Sequence, residues 1–185
     1  MYSPGYSEPA IPMVSTFSPW GYAYGSLATF QFPASVFFES ANRAVFQPVF
    51  IRTPCVARRV WWQNGSSVSA SYNLSVAVYA ATPQGEPGAK IIECASTAQG
   101  TASQVQFVDI TDTYLPAGLT WIAVAASSAS ATLYGNGTTP TASYDAIVRF
   151  QQSGITVGSL PATATPAESS STYTYLFGFA TTASP

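Results

Sequence analysis

The sequence has no histidine, and only 14 of its 185 residues are charged, six Lys or Arg and eight Asp or Glu. Histidine is the commonest general base and the commonest metal ligand, so Ser–His and Cys–His nucleophile pairs are excluded and most zinc chemistry with them. Six cations are too few to grip a phosphate backbone or an anionic bilayer by charge, so neither nucleic acid nor a membrane surface is an expected partner. The charged share, 8%, lies far below the ~25% of ordinary soluble domains. No Gly-x-Ser-x-Gly elbow, phosphate loop or dinucleotide fingerprint occurs. No apolar run approaches the ~20 residues of a bilayer crossing; the longest is Leu119 to Ala126, so no membrane insertion is expected. Residues Met1 to Pro9 lack the basic stretch and apolar run of a secretory signal. Cysteine is also scarce. Cys55 and Cys94 read as two small buried thiols, with a disulfide as the alternative; no further ligands complete a metal site.

What fills the chain instead is apolar and weakly polar. Hydrophobic residues make up 47%, aromatics 14%, and Ala, Ser and Thr occur 28, 24 and 20 times. That is too apolar for a disordered chain. Residues 1–40 carry Pro4, Pro9, Pro12, Pro19 and Pro33 among Gly5, Gly21 and Gly25. This punctuation excludes a long helix and disfavours a central strand. The same segment holds Tyr2, Tyr6, Phe17, Trp20, Tyr22, Tyr24, Phe30 and Phe32, followed by Phe37 and Phe38. Each such ring gains about 1.5–3 kcal/mol on leaving water. Residues 1–40 are therefore expected to form an extended docking arm, laid across its own domain or a neighbouring subunit.

From 41 to 185 the pattern changes to short alternating runs. Strands are expected at Val45–Ile51, with Pro48 marking an edge or bulge, and at Val56–Gln63, ended by a tight Asn64-Gly65 turn. Tyr72–Ala80 alternates cleanly. Lys90–Ser96, Val105–Ile110, Leu119–Ser127, Ala131–Tyr134, Ala146–Gln151 and Tyr173–Ala180 follow, with Thr111–Gly118 read as a connection. Residues 153–171 read as a long loop, functional or mobile. No window keeps a 3.6-residue period. The expected fold is all-β: an antiparallel β-sandwich, jelly-roll-like, with an extended N-terminal arm.

Few residues suggest chemistry. Glu86 with Glu93, and Asp109 with Asp112, are spaced pairs, but Asp109 and Asp112 read best as turn-capping groups. No catalytic residue, metal or cofactor is expected. Arg58-Arg59 and Trp61-Trp62 sit in one strand, so alternation sends one of each pair to either face. An outward Trp61 or Trp62, with Tyr79 and Tyr134, could stack on a sugar ring. Asn64, Asn73 and Asn136 each begin an Asn-x-Ser/Thr triplet, expected by chance in so Ser/Thr-rich a chain. A surface this short of charge associates readily, which argues for permanent packing in an assembly.

Several runs carry a family resemblance. They are Asn42-Arg43-Ala44-Val45-Phe46-Gln47-Pro48-Val49-Phe50, then Val60-Trp61-Trp62-Gln63-Asn64-Gly65-Ser66, then Leu74-Ser75-Val76-Ala77-Val78-Tyr79 with Gly85-Glu86-Pro87-Gly88-Ala89-Lys90. Last comes Val108-Asp109-Ile110-Thr111-Asp112-Thr113-Tyr114-Leu115-Pro116-Ala117-Gly118-Leu119-Thr120-Trp121. Over about residues 42 to 135 the chain resembles the β-sandwich modules of tailed-bacteriophage virion proteins, of the head-decoration, fibre and tail-appendage type. The resemblance implies a virion location, other virion proteins as partners, a homo-oligomer with a trimer favoured, and no catalysis. A short chain without a shaft repeat points to an accessory head or tail component. The alternative is a carbohydrate-binding or host-receptor-binding module, with a host surface glycan as ligand.

Overall fold

The computed structural model describes residues 14–18, 21–25, 34–136, 150–168 and 174–181. Among these there is no helix, and every strand pairing is antiparallel. In chain order the strands are β1 (Val14–Ser18), β2 (Gly21–Gly25), β3 (Ala34–Phe37), β4 (Arg43–Ile51), β5 (Cys55–Gln63), β6 (Asn73–Ala81), β7 (Pro87–Glu93) and β8 (Thr97–Ala98). Then come β9 (Val105–Leu115), β10 (Gly118–Ala126), β11 (Thr132–Asn136), β12 (Phe150–Ser153), β13 (Ala167–Glu168), β14 (Thr174–Tyr175) and β15 (Phe177–Ala180).

These form three sheets. One runs β1-β2-β15-β5-β9, another β13-β12-β4-β10-β6-β7 with β8 also on β6, and a small third β14-β11-β3. The two large sheets share one buried layer. Val45, Leu74, Val76, Ile122 and Val124 come from the larger, and Val60, Trp62, Leu115, Phe177 and Phe179 from the other. Alternation along the strands explains the sorting. In β10, Ile122, Val124 and Ala126 enter this layer, while Ala123 and Ala125 turn to the opposite face.

That opposite face is buried too. Ala44, Phe46, Ala77, Tyr79, Trp121, Ala123 and Ala125 lie under Ile155, Leu160 and Ala164. Residues 153–171, expected as a mobile or functional loop, thus contribute a packed strap, described as far as residue 168. The alanines give it room, and its backbone is tied down along its length. The Ile155 amide donates to the Asn42 carbonyl, and the Gly158 amide to Ser75 Oγ. The Lys90 amide donates to the Ala162 carbonyl, and the Ala164 amide to the Gly88 carbonyl, which covers the outer edge of β7. Tyr79 Oη donates to the Pro161 carbonyl at 2.9 Å. Glu93 accepts the Leu160 amide while Lys90 Nζ reaches both Glu93 (2.7 Å) and the Leu160 carbonyl (2.6 Å). A sheet covered on both faces needs nearly continuous apolar strands, as β6 and β10 have.

Several expectations are corrected. β4 is an inner strand, between β12 and β10. Pro48 lies within it, opposite Trp121 of β10. The connection expected at Thr111–Gly118 shrinks to Pro116-Ala117, because β9 continues to Leu115, paired with Cys55. Asn64-Gly65 is not a hairpin turn, since β5 pairs with β9 and β15 rather than with β6. Within residues 1–40, β2 pairs with β15 and β3 with β11, so the described part joins the chain's own sheets. Pro19 falls between β1 and β2 rather than inside either. Phe17 lies in β1, and Tyr22 and Tyr24 in β2; Tyr2, Tyr6, Trp20, Phe30 and Phe32 lie outside the described residues, as do Ala146 to Arg149.

Candidate functional site: the outer face of β5 and β9

Ala57 and Val60 both enter the buried layer although three positions apart, a spacing that strict alternation forbids. The β5–β9 register shifts between Ala57 and Arg59: one residue of β5, Arg58, stands opposite three of β9, Ile110 to Asp112, and the phase changes there. The bulge fixes what faces outward. Val56 and Tyr114 are cross-strand partners, as are Arg59 and Asp109, and Trp61 and Phe107.

Arg58 and Asp112 form an ion pair, Nε to Oδ2 at 3.5 Å. Both are well exposed, so it contributes about 0.2–1 kcal/mol at most. Arg59 is buried, with Cζ 4.4 Å from the Phe107 ring centroid, a cation–π contact. Trp61 is half-buried. Its other neighbour is Gly178, which has no side chain to stand in the way, and its Nε1–H reaches over to the Phe179 carbonyl at 3.3 Å. The outcome is a row of ring, guanidinium and carboxylate groups on a sheet face. Val56, Val105, Phe107 and Tyr114 all stand exposed on it, Tyr114 at 64%.

The four residues proposed for sugar stacking do not come together. Trp61 is outward. Trp62 is fully buried between the large sheets, and Tyr79 is fully buried on the other side of the larger one, its ring edge-on to Phe46 at 5.2 Å. Neither can offer a face to a ligand. Tyr134 is half-buried, its hydroxyl 3.4 Å from Ser103 Oγ. Phe107, Val105, Val56 and Tyr114 escaped the sequence reading. Alternation in Val105-Gln106-Phe107-Val108-Asp109 was the available signal, because the face holding Asp109 is the outer one. Asp109 and Asp112 are exposed in mid-strand and cap no turn.

The carboxylates are dispersed. Glu93 is buried in the strap's clamp, and Glu86 lies on the Thr82–Glu86 turn. Among the described residues no three His, Cys, Asp or Glu side chains gather as a metal site. Cys55 and Cys94 are free thiols. Burial pushes the Cys94 thiol up to about 11, partly offset by the Val76 amide that donates to its sulfur. Burial also raises the half-buried Cys55.

Asn64 is a buried hub rather than a turn residue. Its Oδ1 accepts from Trp62 Nε1 (3.0 Å) and Gln99 Nε2 (3.4 Å), and its Nδ2 donates to the Thr101 carbonyl (3.2 Å) and Gln106 Oε1 (3.0 Å). A fully buried Asn64 cannot carry a glycan. Asn73 is half-buried at the start of β6. In comparison with known proteins, no family model matches the chain and no curated protein matches it.

Proposed function

We propose that this chain is a non-enzymatic structural protein of a tailed-bacteriophage virion, an accessory head component (decoration or head fibre) or tail component (fibre or adaptor). In this reading the two large sheets are a jelly-roll-like β-sandwich, present in multiple copies, and the first residues dock it on another virion protein. The observation that carries the reading is the surface. Phe37, Phe50, Phe107 and Tyr114 stand exposed on a chain with only 14 charges in 185 residues. Such a surface suits lasting contact better than free diffusion. The runs quoted above support the family, and the double-sheet antiparallel architecture is compatible with it.

The test is particle composition. Mass spectrometry of purified virions should find the chain at a fixed copy number, large for a head component and small for a tail component. Deleting residues 1–13, which removes Tyr2 and Tyr6 and leaves every described strand, should abolish incorporation without unfolding the protein. Particles that package the truncated chain as well as the full one refute the docking role. Particles without the full chain refute the virion reading itself.

One observation favours a second reading, a carbohydrate- or receptor-binding module. Trp61 beside Phe107, with Asp109 one row away, offers rings and a carboxylate on one face. Glycan-array binding that is lost in Trp61→Ala would support that reading; a blank array removes it.

A further inference from the structure

We infer that Asn64-Gly65 is a self-modification site held shut by the buried hub. When residues 99–104, the connection from β8 to β9, lift away, Asn64 deamidates, and the acid that forms cannot rebuild the hub. The inference does not rest on the virion reading, because it is read on the purified chain alone.

The chemistry needs only water. The Gly65 nitrogen attacks Asn64 Cγ. The new N–Cγ bond forms as the Cγ–Nδ2 bond breaks, the amide nitrogen leaves as ammonia with the Gly65 proton, and a five-membered imide remains. Water then opens the ring at either carbonyl and leaves an aspartate or an isoaspartate at position 64. Nothing is oxidised or reduced. Glycine in second place favours the attack, because no side chain restricts the backbone that must bend toward Cγ.

In the closed fold each requirement is blocked. The Asn64 side chain must turn its Cγ toward Gly65, but its four hydrogen bonds hold it in place. The Gly65 N–H is already donated to the Thr132 carbonyl at 2.8 Å. The backbone has no room to bend, since even a Cβ at Gly65 would lie 2.5 Å from Ser35 Oγ. Much of this depends on the 99–104 connection. The Thr101 carbonyl takes Asn64 Nδ2, the Gln104 carbonyl takes the Asn64 amide (3.0 Å), and the Ser103 amide reaches the Gly65 carbonyl (2.8 Å). That connection is the weak point of the cover. Thr101 and Ser103 are exposed, and Ser103 holds a left-handed φ of 59° that disfavours a residue with a side chain. Gln106 fastens it: Oε1 accepts from Asn64 Nδ2 and the Gly100 amide, and Nε2 donates to the Ala98 carbonyl. The product does not fit back. An aspartate turns an oxygen toward the Thr101 carbonyl and Gln106 Oε1, two acceptors. An isoaspartate adds a carbon to the main chain where Asn64 bridges to Leu133. Opening is thereby recorded once and not undone.

The experiment keeps the purified full chain in mildly alkaline buffer, folded in one sample and in concentrated urea in another, while peptide mass spectrometry follows conversion at position 64. Asn136-Gly137, the other Asn-Gly pair of the sequence, is the reference in urea, where both sites should convert at similar rates. In the folded chain position 64 should convert at least about a hundredfold more slowly, as a group reached only by opening does. Gln106→Ala should raise the folded-state rate at least about tenfold by easing that opening, with the rate in urea unchanged. Should that variant not fold, the urea dependence of the unsubstituted chain decides. Lifting one connection exposes little surface, so the folded-state rate should stay nearly flat below the unfolding transition, whereas reaction through the unfolded chain rises steeply. Chains converted at position 64 and returned from urea to buffer should melt lower than unconverted chains treated alike. Conversion as fast in the folded chain as in urea, a folded Gln106→Ala with an unchanged rate, a steep urea dependence, or converted chains with an unaltered melt overturns the proposal.

Discussion

Replacing Asn64 by alanine should destabilise the protein by about 3 kcal/mol, and the estimate follows from its four hydrogen bonds. The variant leaves the Trp62 indole N–H without an acceptor in the core, which costs about 1–3 kcal/mol. Gln106 Oε1 keeps the Gly100 amide as donor, and Thr101 is exposed, so those two losses are near the ordinary net value of about 1 kcal/mol or below it. For a chain of this size the sum corresponds to a fall of about 6–12 °C in melting temperature. Asn64→Asp is the sharper probe. It places an oxygen where Nδ2 stood, facing two acceptors. Gln106 cannot flip to help without losing its bonds to the Gly100 amide and the Ala98 carbonyl. The buried carboxyl is therefore pushed above its unfolded value of about 3.9. The folded state then holds the proton more tightly than the unfolded state. The variant's stability is greatest below the unfolded value and falls as pH rises toward the folded one. Chemical denaturation at several pH values measures both effects, and a double-mutant cycle with Trp62→Phe isolates the indole bond at about 1–2 kcal/mol. A cost under about 1 kcal/mol, additivity in the cycle, or an Asp variant that gains stability with rising pH would refute the hub.

Other consequences follow from the strap and the thiols. Burial, with Glu93 adding, holds the Tyr79 hydroxyl well above its usual value of 10, so its stabilisation is full below pH 10 and is lost as pH climbs beyond it. Alkaline difference spectra should show a tyrosine that ionises only on unfolding, absent in Tyr79→Phe, which should also cost about 1 kcal/mol through the lost Pro161 bond. Glu93→Gln should cost about 2–3 kcal/mol, less than a fully buried pair because Lys90 keeps some solvent. It should also open residues 154–165 to protease before the sheets unfold; simultaneous cleavage and unfolding would show that the strap is no separate unit. Cys55 should react with a thiol reagent in the native protein while Cys94 stays silent until unfolding. Because the Cys94 value rises from 9 to about 11, its contribution is intact below pH 9 and lost through pH 11; equal reactivity of the two thiols would contradict the burial.

Strand positions were legible wherever alternation met a turn residue. Val56–Gln63 and Leu119–Ser127 differ from β5 and β10 by one residue at their ends. Legibility failed where partners decide. Thr111–Leu115 looked like a connection because Thr, Asp and Thr suit turns, yet pairing with Cys55–Ala57 carries β9 through them. Asn64-Gly65 has the composition of a tight turn, and only the positions of Gln99, Gln106 and Trp62 reveal a hub. Gly65 is required there for a different reason: a Cβ would lie 2.4 Å from Thr132 Oγ1. The candidate face was half legible. Alternation sends Arg58 and Arg59 to opposite faces, yet both lie on the outer side, Arg58 exposed and Arg59 buried. A bulge, however, cannot be placed from sequence, and it is the bulge that brings Arg58 and Arg59 to the same side.

The scarcity of charge divides into a part that the fold of one copy explains and a part that it does not. The larger sheet is buried on one side by the other sheet and on the other by the strap. Runs such as Trp121-Ile122-Ala123-Val124-Ala125-Ala126 are thereby explained within a single copy. Low charge there needs no companion. Residue 160 is held by Glu93 and Lys90, and Tyr79 is tied to Pro161, so that surplus of apolar residues is already spent inside the fold. The ribbon of β5 and β9 is different. Its inner side packs in the core through Val60 and Trp62; on the outside Phe107 covers the buried Arg59, while Val105 and Tyr114 stand exposed. A strand that served only to close the sheet would gain solubility from Thr, Lys or Glu at positions 105 and 114. Apolar groups kept there, beside the exposed Arg58, Asp109 and Asp112, are the part of the composition that the fold of one copy leaves unaccounted for.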